Sequence, residues 1–232
     1  METLPGGLTL ELCPGAFPLS TDSMALAHFV KLPRNARVLD LGSGCGTLGL
    51  LLCAGNDSCH VTGIELTPWA HETALENIRR NGLDHRMKSI CADLATVPER
   101  FPAGSFSCCV SNPPYFTGGP ASRQVPLARR EDSCSLETLM ASAGRALKYG
   151  GDFFLVHRPE RLGEILTKAA AAGMEAKRLC LLRHRSDGPV NLILVQLRKG
   201  AKPGLIWEEL ALYHSDGTPT DAYRSIYHCK EV

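Results

Sequence analysis

Asn112-Pro113-Pro114-Tyr115 is the stretch of this 232-residue chain whose residue types speak most directly of chemistry. Two consecutive prolines stiffen the backbone and remove two N–H donors, so the carbonyls there remain as acceptors in a fixed geometry. The Asn112 side-chain oxygen adds a second acceptor just before them, and the Tyr115 ring a flat surface just after. Such a set suits a planar amine whose lone pair is delocalised into a conjugated system. If Asn112 Oδ1 and the Pro113 carbonyl accept the two amine hydrogens, the nitrogen can pyramidalise and turn its lone pair toward an electrophile. Tyr115 and Pro114 would then lie against the flat group. Rate would come from positioning and preorganised dipoles, with no strong base required. The competing reading is a proline-stiffened turn with no ligand.

A second constellation lies earlier. Asp40-Leu41-Gly42-Ser43-Gly44-Cys45-Gly46 leaves an apolar run and enters a helical pattern, the place where an α/β sheet binds a cofactor. Gly42, Gly44 and Gly46 let the backbone pass close beneath a ligand. Gly44, Gly46 and Gly49 also satisfy G-x-G-x-x-G, so a dinucleotide remains an alternative. Asp40 argues against it, because a carboxylate there would repel a pyrophosphate but would suit a positively charged amino group such as that of a methionine moiety. Glu65 ends the next apolar run, about twenty residues after the glycines, where a carboxylate can accept from both hydroxyls of a ribose. Its alternative is an exposed charge at a strand end. Asp93, in Cys91-Ala92-Asp93-Leu94, is either a ligand contact or the N-cap of the next turn.

These residues need a frame that brings them to one edge. Arg37 to Leu41 and His60 to Glu65 read as buried strands, with a helix starting at Thr47 between them. Thr67 and Pro68 are an N-cap and first helical residue, and Asn81-Gly82 a helix stop. Strands follow at Met87 to Ala92 and Phe106 to Ser111, a helix at Leu136 to Leu147, a strand at Asp152 to His157 and a helix at Glu160 to Ala172. Arg178 to His184 and Val190 to Leu197, joined by Ser186-Asp187-Gly188-Pro189, form a hairpin. Alternation of this kind predicts an α/β fold, a Rossmann-like, doubly wound, mostly parallel seven-stranded sheet ending in an antiparallel hairpin. The whole chain, 1–232, reads as one domain. Residues 1–31 are a substrate-side segment with an apolar helix near Asp22 to Val30, 32–199 the core, and 200–232 an irregular tail packed on it.

The order of motifs resembles class I methyltransferases, which implies S-adenosyl-L-methionine as cofactor. On that resemblance Asp40, Gly42, Gly44, Gly46, Glu65 and Asn112 line its site. Asp93 accepts from the amine of its adenine, and Leu66 and Leu94 pack on the ring. The tetrapeptide occurs in families that methylate adenine N6, cytosine N4, guanine N2 or a protein glutamine amide. Phe17-Pro18-Leu19-Ser20-Thr21-Asp22-Ser23-Met24-Ala25-Leu26 is similar to the F-x-x-S-x-D-S-x-x-L opening of the bacterial tRNA adenine-N6 methyltransferases that act on position 37 of a valine tRNA. The likeness continues through Phe153 to Leu162 and Tyr213 to Tyr223, departing from the family's pattern at Pro219. It implies tRNA as the partner. Glutamine methylation of release factors is the runner-up; enzymes of that kind carry a longer helical N-terminal domain, which the 36 residues before the first core strand do not supply. A third reading is a cofactor-binding RNA-interaction module without turnover.

Net charge is +1, so composition neither demands nor excludes nucleic acid. Beyond Tyr115, however, basic residues predominate, and Arg123, Arg129 and Arg130 fall in a loop opened by Thr117-Gly118-Gly119-Pro120 beside the tetrapeptide. Phosphate contact is the role expected of them, against an ordinary solvated loop. Ten cysteines lie scattered, several within apolar runs, and none makes a Cys-x-x-Cys pair, so reduced buried thiols are expected and no metal site. The N-terminus lacks a secretory signal and no apolar stretch would span a bilayer, which points to the cytoplasm and away from a membrane. Nothing in the sequence calls for an obligate protein partner.

Overall fold

The computed structural model describes residues 1–13, 19–115 and 135–227. Two short strands, β1 (Glu2–Thr3) and β2 (Thr9–Leu10), pair antiparallel ahead of α1 (Thr21–Phe29). Then come β3 (Arg37–Leu41), α2 (Thr47–Gly55), β4 (His60–Glu65), α3 (Pro68–Arg80), β5 (Met87–Cys91), α4 (Val97–Arg100) and β6 (Phe106–Ser111). Beyond the tetrapeptide lie α5 (Leu136–Ala146), β7 (Leu147–His157), α6 (Leu162–Ala171), β8 (Met174–Arg185), β9 (Val190–Lys199), β10 (Ile206–Tyr213) and α7 (Asp221–Tyr227).

The main sheet runs β10-β8-β9-β7-β6-β3-β4-β5. Its neighbours are parallel except that β9 lies antiparallel between β7 and β8. Side chains alternate across each strand, so a sheet buried on both sides needs nearly continuous apolar runs. Val38, Val110, Phe154, Val156 and Leu194 face a core shared with α1, α2 and α3. Their immediate neighbours Leu39, Cys109, Phe153, Leu155 and Val195 face another shared with α5 and α6. The eight described cysteines are free, and all but Cys91 are buried.

Helix starts follow their residues: Ser20 caps α1 by accepting from the Ser23 amide at 3.4 Å, and Ser135 caps α5 by accepting from Thr138 at 3.1 Å. Thr67 sits at the N-cap of α3 as expected, but its side chain makes no capping bond. Pro68 follows as expected, and Gly82 takes the left-handed conformation just after the helix.

The expected tail, 200–232, departs most from expectation in its described part, 200–227. Instead of an irregular tail, β10 adds an eighth strand, parallel to β8, and α7 packs back beside it. Arg178 on β8 makes this join specific: its guanidinium donates to both carboxylate oxygens of Glu208 at 2.8 and 3.0 Å and lies 4.1 Å from the centre of the Phe29 ring. Among the described residues no helix is long and apolar enough to cross a membrane.

What the fold does for function is bring the C-terminal ends of β3, β4, β6 and β7 to one edge. Chain order reverses between β4 and β6 on either side of β3, and such a switch point opens a crevice above the strand ends.

Candidate active site

On one side of that crevice the glycine loop is held from below. The amides of Gly42 and Ser43 both donate to the Ile64 carbonyl, at 2.9 and 3.0 Å. This close approach requires Gly63 on β4, since a Cβ there would stand 2.6 Å from Ser43 Oγ. The loop ends at Gly46, which opens α2 with φ of 86°, a conformation L side chains avoid. Asn77 on α3 clamps it from the side: wholly buried, its Nδ2 donates to the carbonyls of Cys45 and Glu11, and its Oδ1 accepts from the Glu11 amide. Neither Gly63 nor Asn77 stood out in the sequence, because each acts through a contact distant along the chain.

Glu65 also braces the loop. One carboxylate oxygen accepts from Gly44 at 2.8 Å and the other from Thr67 at 2.8 Å. Asp40 is different: it is 1% exposed, and among the described residues no donor stands in good hydrogen-bonding geometry to either oxygen, the Gly49 amide approaching only loosely. Burial, and after it the charge of Glu65, push its carboxyl up to about 7, an effect the Gly49 amide only partly offsets. Leaving a buried carboxylate without a partner is costly, so an arriving cation would be strongly favoured there. The ammonium group of S-adenosylmethionine fits that requirement, and the buried, unpartnered Ser43 hydroxyl lies in the same loop.

Just past the end of β5, two strands over from the glycine loop, the exposed Asp93 uses Oδ1 to accept from the Ala95 amide at 2.8 Å, so it does cap the next turn. Leu66 is 44% exposed and presents apolar surface, as does its neighbour Trp69, which the sequence reading did not single out. Leu94 is buried in the core against α5.

The second side is built from side chains. Ser111 Oγ donates to the Leu41 carbonyl at 2.7 Å, tying the end of β6 to the end of β3 and so the tetrapeptide to the glycine loop. Asn112 is held at both ends: Nδ2 donates to Ser23 Oγ on α1 at 3.0 Å, and Oδ1 accepts from the Tyr115 hydroxyl at 2.7 Å. Burial, and next the nearby Asp22 carboxylate, raise the Tyr115 phenol well above its ordinary range, so it stays protonated. Its ring centre lies 5.1 Å from that of His157, tilted by 54°. His157 is wholly buried, with Nδ1 accepting from the Arg158 amide at 2.8 Å. Burial, followed by Arg161, holds the imidazole down to about 4, so it is neutral. Pro113 is buried and Pro114 half-buried. Arg123, Arg129 and Arg130 lie outside the described residues.

A parallel sheet with one antiparallel strand inserted beside β7, a glycine loop at the end of its first long strand and an Asn-Pro-Pro-Tyr element at the end of the fourth define a class I methyltransferase. The chain belongs to the methyltransferase small domain family, whose sequence model matches residues 18–170, and its cofactor is S-adenosylmethionine. A relative from Tolumonas auensis, named tRNA1(Val) (adenine(37)-N6)-methyltransferase, is 31% identical over 207 residues, covering 87% of this chain and 84% of its own. Another of the same name from Serratia proteamaculans is 28% identical, covering 91% of this chain and 82% of its own. Among solved structures, a predicted O-methyltransferase from Agrobacterium tumefaciens superposes with a TM-score of 0.74 at 22% identity, over 90% of this chain and 96% of its own. That likeness concerns the fold.

Proposed function

We propose that this enzyme methylates the exocyclic N6 amine of an adenine in tRNA. The observation that carries the reading is the Asn112 carboxamide, whose oxygen already accepts a donor at 2.7 Å while its nitrogen is anchored on α1. It is an acceptor aimed and held before any amine arrives. The shared name of the Tolumonas and Serratia relatives supports adenine as the amine and tRNA as its carrier.

S-adenosylmethionine, when bound by Asp40, the 42–46 loop and Glu65, supplies an electrophilic methyl group. The rest belongs to the chain. Asn112 Oδ1 and the Pro113 carbonyl accept the amine hydrogens and draw the lone pair out of conjugation, while Tyr115 lies against the base. His157 and Tyr115 contribute no base: the histidine's Nδ1 is taken by a backbone amide and the phenol keeps its proton. Positioning therefore carries the rate, and the newly methylated nitrogen gives up its proton to water after bonding. Asp93 and Leu66 are assigned to the cofactor's adenine, and Arg123, Arg129 and Arg130 to tRNA phosphates. Residues 1–31 serve the substrate side, a role supported by the contact from Ser23.

Incubating the protein with S-adenosylmethionine and tRNA from a strain lacking it, followed by nucleoside mass spectrometry, tests the reading. New N6-methyladenosine at one position is expected. Unmodified tRNA together with methylglutamine in a release factor would overturn it.

A further inference from the structure

On the reading that a conjugated amine is held at Asn112, we propose that Ser23 is a positioning residue for methyl transfer, fixing which end of the Asn112 carboxamide meets the substrate. The two ends of a carboxamide are nearly identical in shape, so only their partners decide which one points where. The incoming amine offers hydrogens, and its lone pair is committed to the electrophile. It can therefore use only Asn112 Oδ1, and Nδ2 must then face Ser23, 3.0 Å away, whose hydroxyl oxygen must accept. Without the substrate, the Tyr115 hydroxyl shares this task by donating to Oδ1. Once the amine displaces that hydroxyl, Ser23 is, among the described residues, the contact that remains on the carboxamide.

Ser23 itself is fixed from several directions. It is buried in the first turn of α1, its amide caps onto Ser20, and the neighbouring Thr21 hydroxyl bonds to the Tyr227 hydroxyl at 2.8 Å. At the other end of α1, Phe29 packs edge-on against Phe154 with ring centres 6.0 Å apart, and its carbonyl accepts from Arg178. A rigid helix anchored in the core thus delivers one hydroxyl to the catalytic amide.

The test uses the full chain with Ser23→Ala, Ser23→Cys, which keeps the volume but is a poor acceptor, and Ser23→Thr, which keeps the hydroxyl. In single-turnover methyl transfer to tRNA, the first two should lose roughly 10- to 100-fold in rate, the consequence of a half-buried N–H left without its acceptor and a carboxamide no longer held in one orientation. Cofactor affinity should not change, and Ser23→Thr should recover most of the rate. Adding Ser23→Ala to Asn112→Ala should cost nothing further, because Ser23 acts only through that amide. Wild-type rates in both Ser23→Ala and Ser23→Cys, or a full additional loss in the Asn112→Ala background, would overturn the proposal.

A second measurement needs no acceptor. In the S-adenosylhomocysteine complex, the Asn112 side-chain NH2 resonances, assigned by their disappearance in Asn112→Asp, should exchange slowly with solvent in the wild type and rapidly in Ser23→Ala. Equal exchange in the two would sink the assignment. Failure of the wild type to methylate tRNA would instead remove the adenine reading while leaving this measurement to decide Ser23.

Discussion

At the end of β3 a buried carboxylate, Asp40, stands without a well-formed hydrogen bond among the described residues, while at the end of β6 the Asn112 amide is bonded at both ends before any ligand is present. Around Asp40 the cradle is mostly main chain, pinned by Gly42, Ser43 and Gly44 amides on partners from β4. Around Asn112 it is side chain on side chain, assembled from α1, the tetrapeptide and the end of β7. The contrast teaches how one crevice can serve two ligands. On the proposed roles, a cationic cofactor is drawn by the unsatisfied charge of Asp40 and completes that half when it binds. A neutral amine gains little from charge, so its half supplies oriented dipoles that must be exact in direction beforehand.

Loss of the dipole should have the largest effect. Asn112→Ala is expected to lower kcat by the order of 10²-fold or more, with binding suffering less. Rapid-quench methyl transfer alongside calorimetric titration checks both; a near-normal rate would show that the amide is only a turn residue.

The cofactor half should respond in the opposite way. Asp40→Asn ought to weaken S-adenosylmethionine binding by about 1–3 kcal/mol and yet stabilise the unliganded protein. Because folding raises the Asp40 carboxyl to about 7 from 3.8, the folded state holds the proton more tightly than the unfolded one. Its contribution is therefore fully present below the unfolded value and is lost as pH rises toward 7. Ligand-free wild type should lose stability across that window and Asp40→Asn should lose less, whereas cofactor affinity in the wild type should rise as pH passes 7. Urea titrations at several pH values would expose identical slopes, the result that breaks the comparison.

A smaller effect separates the ring of Tyr115 from its hydroxyl. Tyr115→Ala should raise KM and lower kcat, removing a stacking surface worth about 1–3 kcal/mol. Tyr115→Phe keeps the ring and frees Asn112 Oδ1, so it should remain active; steady-state kinetics in which Phe is as damaged as Ala would give the hydroxyl a chemical role. Smallest of all, Arg129→Gln with Arg130→Gln should weaken tRNA binding and flatten the dependence of log affinity on log salt by about one to two, with the choice of base unaltered. An unchanged slope in binding titrations would return both residues to ordinary surface.

Much of the framework was legible because it is written locally. Arg37–Leu41, His60–Glu65 and Phe106–Ser111 are strands with the boundaries read from their apolar runs, since both faces of each are buried. By contrast, β10 escaped notice because only Leu212 within Ile206–Tyr213 is buried. An edge strand held by backbone pairing and by Glu208 meeting Arg178 carries no clear alternation. The same division runs through the site. Asp40, the glycines and the Asn-Pro-Pro-Tyr element are contiguous and readable. The tie from Ser23 to Asn112 spans 89 positions and has no period, so it became visible only in three dimensions. Asp93 shows the limit in another form, because one carboxylate can cap a turn with one oxygen and leave a ligand role to be tested by other means.

The bond between Thr21 and Tyr227 also sets an order of events during synthesis. The helix that aims Asn112 is made before the hydroxyl that braces it, which belongs to α7 and follows some two hundred residues later. A nascent or prematurely terminated chain could complete the glycine loop and the tetrapeptide and still lack that brace. One hydrogen bond thus ties the helix beneath the tetrapeptide to a segment made only after every strand of the sheet.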